Sequence, residues 1–197
     1  VSVLRAAQFM EDAGPMAHPI RPESYQNINN FYTSTVYEKG AEVIRMLQTL
    51  LGRETFRKGF DLYIARNDGH AVTCEAFINA MAEVSGRDLS EFTNWYSQAG
   101  TPRVTVRRHW DEVNHRLTLN VRQSTPPTPG QSVKKPFLIP FPVAFLNSRG
   151  EEMPVQLAEE DEAPAPGTRM FELTDETAEF VFGGLEEEPV VSLNRGF

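Results

Sequence analysis

Apolar positions recur at three- and four-residue steps through the first half of the chain and at two-residue steps through the second. Val36, Val43, Ile44, Leu47, Leu50 and Leu51 share one helical face, and Gly52 follows as a C-terminal cap, which predicts an amphipathic helix over roughly 35–51. A second helix runs through Phe56, Phe60, Tyr63 and Ile64 and stops at Asn67-Asp68-Gly69. Thr73 is placed to cap a third, carrying Phe77, Ala80, Met81 and Val84 up to Gly86. Asp88 with Glu91 reads as a capping box opening a fourth, with Phe92, Trp95 and Tyr96 turned inward before Gly100. Upstream, VLRAAQFMEDA reads as helix, and the segment 13–26, with Pro15, Pro19 and Pro22, as an extended connector.

After Pro102 the period changes. Val104 and Val106, then Leu117, Leu119 and Val121, then Phe141, Val143 and Phe145, later Phe180 and Phe182, alternate as strands do. About seven short strands joined by turn-rich segments such as Pro126-Pro127-Thr128-Pro129-Gly130 predict an antiparallel β-sandwich. Proline usage marks the same change, with three of 14 before residue 101 and the rest after it. The fold class is therefore multi-domain α plus β: a helical bundle over 1–100 followed by a sandwich over 101–197. The acidic runs Glu159 to Glu162 and Glu186 to Glu188 read as solvated loops.

Composition narrows the function. With 40% hydrophobic and 23% charged residues this is an ordinary folded chain, and its net charge of -8 repels phosphate backbones and anionic lipid. Neither nucleic acid nor membrane is an expected partner. No apolar run reaches the ~20 residues of a membrane helix, and Arg5 interrupts the stretch from Val1 to Met10 where a signal peptide core would be continuous. The one cysteine, Cys74, has no intrachain partner, which fits a reducing, cytoplasmic setting.

The chemistry visible from residue types alone is sparse. His18, His70, His109 and His115 are scattered, none within H-E-x-x-H, so no metal site is expected in this chain. His18, flanked by Ala17 and Pro19, reads as a hydrogen-bonded structural residue, and His109 and His115 flank an exposed turn. Cys74 opens a helix with no histidine nearby in sequence, and the chain has no G-x-S-x-G elbow, phosphate loop or dinucleotide fingerprint.

One stretch adds a specific signal: Asn29-Asn30-Phe31-Tyr32-Thr33-Ser34-Thr35-Val36-Tyr37-Glu38-Lys39-Gly40-Ala41-Glu42-Val43-Ile44-Arg45-Met46-Leu47. It resembles the tyrosine-bearing segment of the M1 family of zinc metalloaminopeptidases, particularly their bacterial members. Pro15-Met16-Ala17-His18-Pro19-Ile20-Arg21-Pro22 resembles the family segment before it, and Trp95-Tyr96-Ser97-Gln98-Ala99-Gly100-Thr101-Pro102 resembles the junction into the family's β-domain. The resemblance implies that 1–100 is the distal part of a thermolysin-like catalytic domain and 101–197 an Ig-like sandwich. It also implies peptide substrates, cleaved at the first peptide bond by a zinc-bound water.

Under this resemblance Tyr37 matches the catalytic tyrosine, whose neutral phenol donates to the oxyanion of the tetrahedral intermediate. From spacing alone, Tyr37 would be a packed tyrosine on the bundle's inner face. Asn29 and Tyr32 match positions beside the pocket for the substrate's N-terminal residue, and both also fit ordinary structural roles. Glu38 is expected at the surface or in an ion pair, Lys39 and Arg45 in structural roles, and Gly40 where helices approach closely. The family's zinc ligands and amine-binding loop would precede Val1. The chain is thus expected to be part of a longer enzyme, to hold no zinc and cleave nothing alone, to need the upstream remainder of the catalytic domain as its partner, and to self-associate through uncovered apolar faces. The alternatives are a non-catalytic scaffold of the same fold, or a sandwich acting as an interaction module.

Overall fold

The computed structural model describes residues 2–196; Val1 and Phe197, at which the expected domains begin and end, lie outside the described residues. The chain forms two compact units. One comprises the residues up to Thr101 together with Pro126–Phe137, the other Pro102–Thr125 and Leu138–Phe197.

The first unit is helical. A π-helical turn, Leu4–Gln8, leads into α1 (Phe9–Ala13); a 3₁₀ turn, Ile28–Phe31, precedes a second π-helical turn, Thr35–Lys39, that continues as α2 (Gly40–Leu51). Val43, Leu47, Leu50 and Leu51 are buried along α2, as their spacing requires. α3 (Arg53–Asn67) and α4 (Cys74–Ser85) pack closely: the Phe77 ring meets Phe56, Phe60 and Tyr63 edge-on at 5.3 to 6.5 Å. Gly59 makes this approach possible, since a Cβ there would stand 2.5 Å from Met81 Sδ.

Three local expectations change. The Asp88 carboxylate accepts from the Ser90 N–H at 2.8 Å, forming a local turn instead of a capping box, so the chain enters a 3₁₀ turn at Glu91–Thr93 and then the short helix α5 (Asn94–Ser97). Thr73 occupies the N-cap of α4 without a side-chain hydrogen bond. Gly40 has open space where a Cβ would point, so close packing does not explain it.

The segment Pro126–Phe137, which proline content assigned to the β half, belongs to the helical unit. Gln98 Nε2 donates to the Lys135 carbonyl at 3.0 Å while the Lys135 N–H donates to Gln98 Oε1 at 2.7 Å. Lys134 donates to the Ala99 carbonyl at 2.9 Å, and Gln131 accepts from the Ala99 N–H at 2.8 Å. Phe137 stacks on Trp95 with ring centroids 4.1 Å apart.

The second unit is a sandwich of two antiparallel sheets. The first has the order β1 (Arg103–Asp111), β2 (Arg116–Ser124), β6 (Thr177–Phe182). In the second, β3 (Ile139–Leu146) pairs along one edge with β5 (Arg169–Leu173) and β4 (Glu152–Met153) and along the other with β7 (Val190–Leu193). Leu117, Leu119 and Val121 face the core between the sheets, where Phe182 meets Phe145 and Phe171 edge-on at 4.9 and 5.7 Å. β3 is buried continuously and not on alternate residues, as in a strand covered on both faces. Its two prolines are tolerated because β5 pairs with 139–143 whereas β7 pairs only with 143–146, so Pro140 and Pro142 have a ladder partner on one side.

The acidic run 159–162 is more than a solvated loop. The Glu160 carboxylate accepts from both Arg169 guanidinium nitrogens, at 2.6 and 2.5 Å, and from the Leu157 N–H at 2.9 Å. Those hydrogen bonds hold its pKa well down, at about 2.

Candidate functional site

The site is built on the turn Thr35–Lys39. The Gly40 N–H donates to the Thr35 carbonyl five residues back, the mark of a π-helical turn, a form that favours functional sites. Thr33 starts the turn: its Oγ1 accepts from the Val36 N–H at 3.1 Å and donates to His18 Nε2 at 2.7 Å. The other His18 ring nitrogen, Nδ1, lies 2.7 Å from the Met16 carbonyl, which can only accept, so Nδ1 carries the proton. His18 thus has both nitrogens engaged in structure.

Within the turn, Thr35 and Lys39 are one turn apart and buried, while Tyr37, half a turn away, projects outward with 58% of its surface exposed. In this chain Tyr37 therefore lies on the exposed side of the turn and not on the bundle's inner face. The structure brings Tyr32 beside it, with ring centroids 6.0 Å apart and Tyr32 itself 60% exposed. Phe31 and Tyr25 extend this aromatic row edge-on, at 6.1 Å from Tyr32 and 6.0 Å from Phe31 respectively. Asn29 lies in the 3₁₀ turn before it, its N–H bonded to Asn27 Oδ1 at 3.0 Å and its own side chain exposed. Glu38 is exposed, and Arg45 pairs with Glu42 one turn back along α2.

Beneath the turn lies a polar cluster that the sequence reading did not single out. Glu11 Oε2 accepts both from the Thr35 N–H at 2.8 Å and from Thr35 Oγ1 at 2.7 Å, and Gln8 donates to that same Oγ1 at 3.3 Å. Lys39 donates to Asp12 Oδ2 at 2.7 Å and to the Gly100 carbonyl at 2.9 Å, and Thr101 Oγ1 donates to Asp12 Oδ2 at 2.8 Å. Of six buried polar or charged residues among those described, four belong to this cluster: Gln8, Asp12, Thr35 and Lys39. Two signals for it stand in the sequence. Thr35 and Lys39 continue the buried row of Val43 and Leu47 backwards at four-residue steps, and Gln8, Glu11 and Asp12 share a face at three- and four-residue spacing.

Burial by itself raises the Asp12 pKa, but the Lys39 ammonium beside it, with the Thr101 hydroxyl and the nearby Gln8 amide, outweighs burial and holds the carboxyl below its usual range. Burial pushes the Lys39 ammonium down, against the attraction of Asp12. Asp12 Oδ1 is buried without a hydrogen-bond partner among the described residues.

The exposed phenol of Tyr37 can donate a hydrogen bond to a ligand oxygen, and the neighbouring Tyr32 ring offers an apolar face. Among the described residues no group of three His, Cys, Asp or Glu is placed to hold a metal ion, and both His18 ring nitrogens are engaged in hydrogen bonds.

The comparisons with known proteins agree with this architecture. The Peptidase family M1 domain matches residues 2–96, and an Ig-like domain of unknown function, DUF3458, matches residues 100–197. Aminopeptidase N of Escherichia coli (strain K12) and that of Haemophilus influenzae are each 47% identical over 193 residues, covering 98% of this chain and 22% of theirs. Aminopeptidase N of Caulobacter vibrioides is 62% identical over 118 residues, covering 60% of this chain and 14% of its own. The crystal structure of Legionella pneumophila aminopeptidase A in complex with aspartic acid superposes with a TM-score of 0.73 at 25% identity, over 98% of this chain and 22% of that one. The chain thus spans between 14% and 22% of the length of these relatives, and it belongs to the M1 peptidase family, in the part shared by the bacterial aminopeptidases N.

Proposed function

We propose that this chain furnishes the electrophilic side of an aminopeptidase active site, with Tyr37 as the donor to the oxygen on which negative charge develops when the first peptide bond is attacked. One observation carries the reading: Tyr37 presents its phenol outward from a π-helical turn whose opposite face is anchored at both ends. A tyrosine stays protonated at pH 7 and donates to an oxyanion without transferring its proton. Asn29 and Tyr32 line the approach of the substrate's N-terminal residue, where the exposed Tyr32 ring gives an apolar side chain a surface to cover. The metal is held by residues outside this chain, so the 197-residue chain alone is expected to bind no catalytic zinc and to hydrolyse no peptide.

The test uses the complete parent polypeptide and a chromogenic aminoacyl amide. Tyr37→Phe is expected to lower kcat by about 10² to 10³, the size of losing one oxyanion donor, with metal content unchanged. Equal kcat in the two proteins would return Tyr37 to a structural role, and an inactive wild type with metal bound would favour a non-catalytic scaffold.

A further inference from the structure

We infer that Glu11 and Asp12 are positioning residues for Tyr37. Together they fix the π-helical turn that aims its phenol, an inference that rests on the catalytic reading of Tyr37 given above. The two acidic residues are adjacent on the first helix and reach the two ends of one turn: Glu11 takes both the N–H and the hydroxyl of Thr35, and Asp12 takes the ammonium of Lys39. Tyr37 is the midpoint between these anchors and lies on the opposite side. A rigid grip at both ends leaves the turn no freedom to revert to ordinary α-helical register. A slip of one residue would rotate Tyr37 by about 100° around the helix axis. Displacements far smaller than that lower the rate of a reaction that depends on a positioned donor by about 10²-fold.

The grip has features that plain core packing lacks. Thr35 is held by three hydrogen bonds and is fully buried, and Lys39 spends its ammonium on Asp12 and the Gly100 carbonyl. A buried ion pair is a poor way to gain stability compared with an apolar pair of the same volume, but it tolerates only one geometry. The same carboxylate oxygen of Asp12 also binds the Thr101 hydroxyl, so the turn is referenced to the chain segment that leaves the helical unit.

The test is a double-mutant cycle in the complete parent polypeptide: Glu11→Gln and Asp12→Asn, each made with Tyr37 present and again together with Tyr37→Phe. With Tyr37 present, each substitution is expected to lower kcat at least about 10-fold while KM and metal content stay within about 2-fold. Combined with Tyr37→Phe, the same substitutions are expected to add less than about 2-fold, because the donor they position is already gone. Equal losses in both backgrounds would make the cluster merely structural and overturn the inference, as would unchanged kcat with Tyr37 present. If Tyr37→Phe alone has no effect, it is the catalytic reading that falls, and the positioning role goes with it. Glu11→Gln keeps the side chain's size and one acceptor, and so carries the cycle if Asp12→Asn does not fold.

Discussion

Replacing Phe137 with alanine tests whether the segment 126–137 is part of the helical core, against its assignment by proline content. Phe137 is fully buried and its ring lies 4.1 Å from that of Trp95, itself 7% exposed, at an interplanar angle of 27°. Truncating a buried phenylalanine costs about 3–5 kcal/mol, which includes the lost ring stacking of about 0.5–1.5 kcal/mol. Phe137→Leu keeps most of the volume and loses the stack, for a smaller cost of about 1–2 kcal/mol. The chain has two tryptophans, Trp95 in the helical unit and Trp110 in β1 of the other. In a Trp110→Phe background, urea unfolding followed by fluorescence therefore reports Trp95 alone. The midpoint should fall for Phe137→Ala, with little change in slope, because the surface exposed on unfolding is nearly the same. A loss below about 1 kcal/mol at Trp95 would refute the reasoning, since a ring in a mobile loop has no core to lose.

Two further outcomes follow from the packing and the charges. Gly59→Val should destabilise the helical unit by about 1–3 kcal/mol in thermal or urea unfolding, because the added Cβ meets Met81 Sδ at 2.5 Å and its Cα at 3.3 Å, and the backbone of α4 cannot yield as a side chain can. Glu160, held at about 2 against an ordinary 4.5, contributes stability that is fully present above pH 4.5 and lost as the pH falls toward 2. Carbon-detected NMR should show that low titration midpoint, and Glu160→Gln should flatten the acid limb of the stability profile of the β unit over this window.

What could be read from the sequence followed the range of the interactions. The helices around Val43, Leu47 and Leu50 and the strand pairs around Leu117 and Leu119 were legible because burial there repeats at the period of the element itself. β3 was legible as a strand but not as a continuously buried one, since Ile139, Pro140, Phe141 and Pro142 are buried in succession and not on alternate residues. The placement of 126–137 was hidden because polar side chains carry much of it: Gln98 and Lys135 exchange two hydrogen bonds across a separation of 37 residues, and nothing in either neighbourhood announces the partner. Tyr37 was singled out by the family resemblance alone. Its exposure depends on which side of α2 is buried, and the apolar stripe, dense from Val43 onward, reaches back beyond it only at Val36. Before Val43, Lys39 and Thr35 are polar and read as solvent-facing unless Glu11 and Asp12 are known to meet them.

That reversal explains why the buried side of the turn is polar. An apolar row at positions 35 and 39 would bury as well and would be about as stable, but greasy contacts are non-directional and survive a small rotation. The Asp12–Lys39 pair does not survive one. Its side chains are 1% and 7% exposed, so a slipped turn would leave an unpaired carboxylate and ammonium without water, at a cost of about 3–5 kcal/mol. At 1.4 kcal/mol per factor of ten, that gap keeps the slipped register about 10² to 4 × 10³ times rarer than the native one. The energetic meaning of the cluster is therefore discrimination between two geometries of one turn, and the residue whose direction differs between them is Tyr37.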